Sequence, residues 1–429
     1  MSKFYFVALF LSIGACSPAP GTDVLDASDA TSERSSESGA DGFDGVVPDV
    51  PPPMCVPIGP ASGDAGVPFG DAVQIAAGAR HTCAVDATGA TWCWGSNARG
   101  QLGDGTNDDH SRPVRAAMLD GARAVVTGAL HTCALRIDGT VVCWGANDFG
   151  QLGDGTTQSR TIPTSVTGLT GVLALAAGES TTCAIGGDAR IHCWGRDAEL
   201  QFGDGRSTLT NTTPVLAGNL ADANAVALGA LHGCARVGTA HTLSCWGTNG
   251  EGQVGDCTSN DRGAGVQISN DAIDEFSLGR FHSCAVRAND HVVLCWGSNL
   301  HRQLGFDGAM AACRDPSFPM NAFGPTVVPM LDAVHVAAGG EHTCAVRADG
   351  SVWCFGANRY GQSGLCVGDA VIVPAHVPGI DGATAIVAGD AHSCAIVTGG
   401  RVMCWGDDED GRLGDGANVT RAVPAFVVW

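Results

Sequence analysis

One glycine recurs seven times, at Gly78, Gly128, Gly178, Gly229, Gly279, Gly339 and Gly389, and each occurrence opens a copy of the same unit. The spacing is 50 or 51 residues except for one interval of 60, between Gly279 and Gly339. The second copy reads Gly128-Ala129-Leu130-His131-Thr132-Cys133-Ala134-Leu135, then Asp138-Gly139-Thr140-Val141-Val142-Cys143-Trp144-Gly145, then Asn147-Asp148-Phe149-Gly150-Gln151-Leu152-Gly153. A unit of this length cannot bury its own apolar surface and must pack against its copies, which restricts the chain to a repeat architecture.

Each unit reads as four strands, here lettered A to D. In the first copy Val73 to Ala77 is a short run, apolar apart from Gln74, which is read as a strand buried on both faces (A). Thr82 to Val85 (B) and Ala90 to Trp94 (C) flank Asp86-Ala87-Thr88-Gly89, which has the chemistry of a hairpin turn. A fourth segment carries Pro113, Pro163, Pro214, Pro325, Pro374 or Pro424 in six of the copies and suits an outer edge strand (D), because proline cannot donate to a ladder. Seven such antiparallel units predict an all-β, seven-bladed β-propeller.

The pattern Gly-x-x-His-Thr-x-Ala-Leu, Asp-Gly-x-Val, Trp-Gly and Asn-x-x-Gly-Gln-Leu-Gly resembles the repeat of the regulator of chromosome condensation family, over roughly residues 70 to 429. The resemblance implies the seven-bladed fold. It also implies a spread of functions, from nucleotide exchange on a small GTPase to enzyme inhibition by secreted bacterial relatives and scaffolding, so activity has to be argued from a site.

The chain starts with Lys3 and an apolar run from Phe4 to Ile13, which has signal-peptide length and is too short for a permanent membrane span. Ile13-Gly14-Ala15-Cys16 resembles the bacterial lipobox, making residues 1–15 a lipoprotein signal and Cys16 the lipidated N-terminus. Residues 16–57 are rich in Ser, Asp, Glu, Gly and Pro with few large apolar side chains, the composition of a disordered tether. The propeller is expected over 58–429. Together these place the protein outside the cytoplasm, lipid-anchored at the outer membrane or cell surface, with no membrane contact other than the lipid.

Fourteen of the 19 cysteines form one pair per copy. Cys83 pairs with Cys93, Cys133 with Cys143, Cys183 with Cys193, Cys234 with Cys245, Cys284 with Cys295, Cys344 with Cys354, and Cys394 with Cys404. Across a B–C hairpin a separation of 10 sets the two residues opposite each other within disulfide range. The fourth and fifth pairs are separated by 11, so their turns must absorb one more residue. Zinc is the competing reading, but no Cys-x-x-Cys occurs and an exported protein retains disulfides. Cys55, Cys257, Cys313 and Cys366 remain; Cys313 is expected to bridge to Cys257 or Cys366, with the other left for Cys55.

The formal charge is −21 and Lys3 is the only lysine, which argues against nucleic acid and anionic lipid headgroups as partners. His81, His131, His232, His282, His342 and His392 recur at one position, with Thr181 in the third copy. A catalytic base is needed once, so these are read as structural histidines bonding backbone groups between blades. Gly-Asp-Gly at 103–105, 153–155, 203–205 and 414–416 is read as turn chemistry, since it lacks the spaced oxygens of a calcium loop. A sialidase-like hydrolase finds only one imperfect Asp-box-like run, at 86–92, and no other catalytic signature is present. No enzyme activity, metal or cofactor is therefore expected.

Recognition remains, by a monomeric protein-binding or scaffold module or, alternatively, by a secreted-type enzyme inhibitor. Two residues that differ from copy to copy lie between the recurring glycine and histidine; among them Arg80, Leu130, Leu231, Arg280, Phe281 and Glu341 are the candidate contacts with a protein or envelope component. The extra residues of the long interval fall within Phe306 to Gly324, on the same face, and add Phe318 and Phe323 to the candidates; the alternative is that both phenylalanines fold down as a cover over blade five.

Overall fold

The computed structural model describes residues 67–429 other than 219, 308–310, 312 and 314; the signal, Cys16, the tether, Cys55 and Met310 lie outside the described residues. The chain forms seven four-stranded antiparallel sheets, each from one unbroken stretch of sequence. Blade one comprises β1 (Ala72–Ala77), β2 (His81–Asp86), β3 (Thr91–Gly95) and β4 (His110–Arg115), paired in that order. Blade seven, β25 (Ala383–Ala388) to β28 (Arg421–Phe426), repeats it. The proline-bearing strands are the outer edges, as the missing N–H requires.

Strand A departs from its expected full burial. In blade one only Ala72 and Ile75 are buried, and Val73 is 61% exposed. The strand is innermost and one edge faces the central channel; a register shift at Val73 pushes that side chain out of the ladder. The apolar core lies between blades. One cluster joins Cys83, Val85 and Cys93 of blade one to Val125, Ala134 and Trp144 of blade two, and Phe355 and the other five interblade tryptophans are likewise buried.

In every hairpin the paired cysteines are direct cross-strand partners. Cys83 stands opposite Cys93, Cys133 opposite Cys143, Cys183 opposite Cys193 and Cys234 opposite Cys245. Cys284 faces Cys295, Cys344 faces Cys354 and Cys394 faces Cys404 in the same way. All seven pairs are disulfide-bonded, with Cα separations of 4.1–4.2 Å. The extra residue of the fourth and fifth pairs is taken up in the turn, so the cysteine register is the same as in the other blades. Each bond locks strand B to strand C within one blade. Cys257 bonds Cys313 and links blades four and five; Cys366 is also disulfide-bonded, and its expected counterpart Cys55 lies outside the described residues.

The ring closes without strands being shared between the chain ends. Phe69 N–H donates to the Val427 carbonyl (2.8 Å), Trp429 N–H donates to the Val67 carbonyl (3.1 Å), and Pro68 pairs with Val428. The Trp429 ring packs on Phe69 and Trp92, with centroids 4.9 and 4.6 Å away.

Candidate functional site

The recurring glycines line the channel mouth at the end of strand A, and their backbone geometry explains the residue type. None of the seven is left-handed. A Cβ on Gly78 would lie 2.5 Å from the Gly128 carbonyl oxygen, one on Gly128 2.5 Å from that of Gly178, and so on around the ring until Gly389 meets the Gly78 carbonyl oxygen at 2.5 Å. In the six blades with histidine, the same Cβ would also strike the blade's own imidazole, at 2.2 Å in the case of Gly128. Close approach is what demands glycine.

The histidines do bridge blades, though to side chains and not to the backbone groups expected. His131 Nε2 lies 2.8 Å from Thr182 Oγ, and the same contact joins His81 to Thr132, His232 to Ser283, His282 to Thr343, His342 to Ser393 and His392 to Thr82. Each hydroxyl donates onward to a main-chain carbonyl, as Thr182 does to Gln151 (3.0 Å), and Trp194 Nε1 donates to that same oxygen (2.9 Å). Since the hydroxyl proton is used on the carbonyl, the imidazole must donate from Nε2; its Nδ1 is buried with no partner in all six blades. Burial lowers the imidazole pKa to about 3 in His81, His232 and His282 and about 4 in His131 and His342. These groups are neutral framework, unsuited to acid–base work at neutral pH.

The relay has one gap, and the chain is altered on both sides of it. Blade three carries Thr181 in place of histidine, and blade four carries Gly233 in place of the hydroxyl. Thr181 turns back to the Arg196 carbonyl, and Trp246 and Leu228 lie where a side chain on Gly233 would go.

The C–D loops share a second internal organiser that the sequence reading passed over. Asn97, Asn147, Asn249, Asn299 and Asn358 are buried, and each accepts the N–H five residues on, as Asn147 Oδ1 does from Leu152 (3.0 Å). Asp197 and Asp408 take this place in blades three and seven, and burial pushes both carboxyls up to about 7. The pair of residues after the Asn or Asp differs in every blade, so a second variable ring was present in the sequence beside the first. It includes exposed Leu300 (68%) and Tyr360 (47%).

The two rings interlock on one face. Arg80 pairs with Glu409 and Asp410 (2.8 and 2.6 Å), and Glu341 faces His301 at 3.4 Å. The two variable positions of the A–B loop have different surroundings. The first, occupied by Ala79, Ala129, Glu179, Ala230, Arg280, Gly340 and Asp390, lines a well of about 170 Å³ at the channel mouth; Arg80, Leu130, Leu231, Phe281 and Glu341 stand in the second, off the well lining. Leu130 is exposed, Leu231 and Phe281 are half-buried, and Arg280 stacks on Phe281 at 5.5 Å.

Phe323 does not belong to the exposed set expected for it. It is 2% exposed at the start of β20 (Ala322–Val327), against Gly252 of blade four, and Phe318 leans on it with 41% of its own surface open. The Cys257–Cys313 bond pins this loop to the neighbouring blade, so the loop acts as a cover, and of the two phenylalanines it is Phe318 that faces solvent. Phe323→Ser is expected to cost about 3 kcal/mol or more and Phe318→Ser under about 1. Equal shifts in melting temperature for the two variants would contradict the assignment.

The other candidates resolve into local structure. Asp86 accepts from Thr88, Ala90 and Trp92 and so uses its carboxylate to build its own turn. Among the described residues no group of three or more His, Cys, Asp or Glu side chains could hold a metal ion.

The sequence profile of the Regulator of chromosome condensation (RCC1) repeat matches in overlapping segments that run through 72–185 and 273–412. The residues between include Asp197 and Gly233, where this chain departs from its own repeat. Among curated protein sequences none matches the chain. Among solved structures it is similar to Prp20p from Saccharomyces cerevisiae (22% identity, 78% of this chain and 85% of that chain, TM-score 0.65). The same yeast protein bound to Kap60 aligns at 20% identity over 78% and 83%, TM-score 0.66, and human WBSCR16 at 17% over 79% and 94%, TM-score 0.69. Seven copies of the unit, their four-stranded blades and the profile matches together establish that the chain belongs to the RCC1 repeat family.

Proposed function

We propose that this protein is a non-catalytic binding module, held at the cell envelope by a lipid on Cys16, that recognises a protein through the face carrying the A–B and C–D loops. The observation that carries the reading is the contrast on that face between a recurring frame and varied tips. Glycine, histidine, hydroxyl and asparagine fix both loops in nearly every blade, while the side chains they present change from Leu130 to Phe281 to Tyr360. A rigid support with exposed aromatic and aliphatic side chains suits recognition. Two of the similar structures are described with macromolecular partners, Kap60 in one case and Gsp1p and histones in the other, which supports protein binding as the general use of the fold. Anchoring rests on Ile13-Gly14-Ala15-Cys16 and the charged, apolar-poor stretch after it.

Affinity capture from the organism's own envelope tests the face. Protein with Leu130→Asp, Phe281→Asp and Tyr360→Asp should lose the captured partner, whereas Met118→Asp with Ile137→Asp, on the opposite face, should keep it. Retention by the first variant would refute the assignment. Metabolic labelling with a fatty-acid analogue should mark the wild type and leave Cys16→Ala unmarked; equal labelling would remove the anchor.

A further inference from the structure

Blade three is the one blade with a Gly-Asp turn whose aspartate has lost both of its internal partners, and a cleft occupies that position. Elsewhere the turn aspartate pairs with a basic residue six positions on: Asp104 with His110 (3.0 Å), Asp154 with Arg160 (2.9 Å), Asp256 with Arg262, and Asp415 with Arg421 (2.5 Å). It also accepts an amide proton from the loop asparagine, as Asp104 does from Asn97 and Asp256 from Asn249. In blade three the sixth residue is Thr210, exposed, and the asparagine is Asp197. Asp204 keeps the turn bond to Arg206 N–H (2.8 Å) but makes no ion pair among the described residues. Behind it Asp197 is 1% exposed, and its Oδ1 accepts from Phe202 N–H (2.9 Å). Blade seven shows that the aspartate alone is not the cause. Asp408 also replaces the asparagine there, yet its Oδ2 accepts the Val419 N–H (2.9 Å) and Arg421 serves the turn.

The space beside Asp204 is a cleft of about 470 Å³, walled by Phe202, Thr208, Asn211, Val215 and Leu216 and reaching Ala264 of blade four. Its outer wall is β12 (Thr208–Leu216), the longest strand of the described residues at nine. A cleft of mixed lining, with Val215 and Leu216 on one wall and a carboxylate without an ion-pair partner at Asp204, accommodates a cation on an aliphatic stem. Three of the four sister sites use arginine: Arg160 gives Nε to Asp154 and Nη2 to Thr156, and Arg262 gives the same two atoms to Asp256 and Thr258, although blade three has Arg206 in place of that threonine. We infer that the blade-three cleft binds an arginine side chain of a partner protein, its guanidinium on the Asp204 carboxylate and its methylenes against Val215 and Leu216. Arg206 stands exposed on the rim and pairs with no acid among the described residues, so it leaves the carboxylate open while disfavouring weakly held cations.

Titration of the folded, oxidised protein with N-acetyl-arginine amide, followed by calorimetry, tests this. Saturable binding with a roughly millimolar Kd is expected of one side chain. The neutral isostere N-acetyl-citrulline amide should bind at least about tenfold more weakly, the equivalent of losing one charge-assisted pair. Asp204→Asn should abolish binding. Thr210→Arg should abolish it too, by restoring the internal cation of the sister blades, and its melting temperature should hold or rise, which separates a filled site from a misfolded one. Equal binding of the citrulline amide, undiminished binding by Asp204→Asn, or no saturation in the wild type overturns the inference. So does binding that appears only after Arg206→Ala, because the cleft would then be filled by its own rim.

Discussion

Acidification from pH 7 to pH 5 is expected to destabilise this protein far more than a typical disulfide-bonded domain. Six imidazoles are dry, neutral and donate from Nε2, and a second proton on Nδ1 would find no acceptor. Burial lowers them to about 3 to 4, and His392 well below its ordinary value, whereas in the unfolded chain each titrates near 6.5. Between those values the unfolded state binds more protons. The stability these groups confer is therefore complete above about pH 6.5, is lost progressively as the pH falls, and stops falling below the folded values. Each histidine gives up about 2 kcal/mol between pH 7 and 5, roughly 10 across the six. Asp197 and Asp408 oppose this. Held up at about 7, they are protonated in the fold as the pH drops and add stability over the same interval, as do Asp390, raised by burial, and His335, raised by Glu275, so part of the loss is offset. Urea midpoints measured under oxidising conditions should fall steeply between pH 6.5 and 5. A flat profile there would mean that the imidazoles are not dry.

Gly128→Ala should be among the most damaging single substitutions in the described chain. Its new methyl would meet the His131 ring at 2.2 Å and the Gly178 carbonyl oxygen at 2.5 Å, and neither can retreat without breaking the hydrogen bond to Thr182 or moving the next blade. Overpacking against backbone costs about 3 kcal/mol or more when nothing can shift. Gly178→Ala offers a graded comparison, because Thr181 leaves no imidazole there and only the Gly229 carbonyl oxygen, at 2.5 Å, and the Leu228 Cβ, at 3.2 Å, stand close. Gly250→Ala, with nothing within 4 Å and no left-handed backbone, should be neutral or slightly stabilising. The predicted order of melting temperatures, highest first, is Gly250→Ala, then Gly178→Ala, then Gly128→Ala. If Gly128→Ala melts with the wild type, the glycine ring is not close-packed.

The fold was legible because its evidence is periodic: strands, hairpins and the spacing of Cys133 from Cys143 all recur and reinforce one another. What escaped were couplings between copies. The partner of His131 is Thr182, 51 residues away, and a threonine in a strand looks ordinary until it is matched with the histidine of the blade before it. The paired loss at Thr181 and Gly233 was the available signal. Whether Phe323 is an exposed contact or part of a cover stays open in the sequence, which does not show that the chain turns inward at Ala322, a few residues after a stretch that faces water. Closure of the ring rests on residues 67–69 and 427–429, too few to carry any pattern.

The missing relay between blades three and four gives the ring two different fault lines. At neutral pH that joint lacks both the imidazole–hydroxyl and the hydroxyl–carbonyl hydrogen bonds that cross its neighbours, two fewer in all, and is the natural place for a first breach. In acid the ranking inverts: the other six joints each contain a titrating imidazole, and the joint at Thr181 and Gly233 has none to charge. A protein moved from a neutral to an acidic compartment would then open from a different side, with blades three and four the last to part.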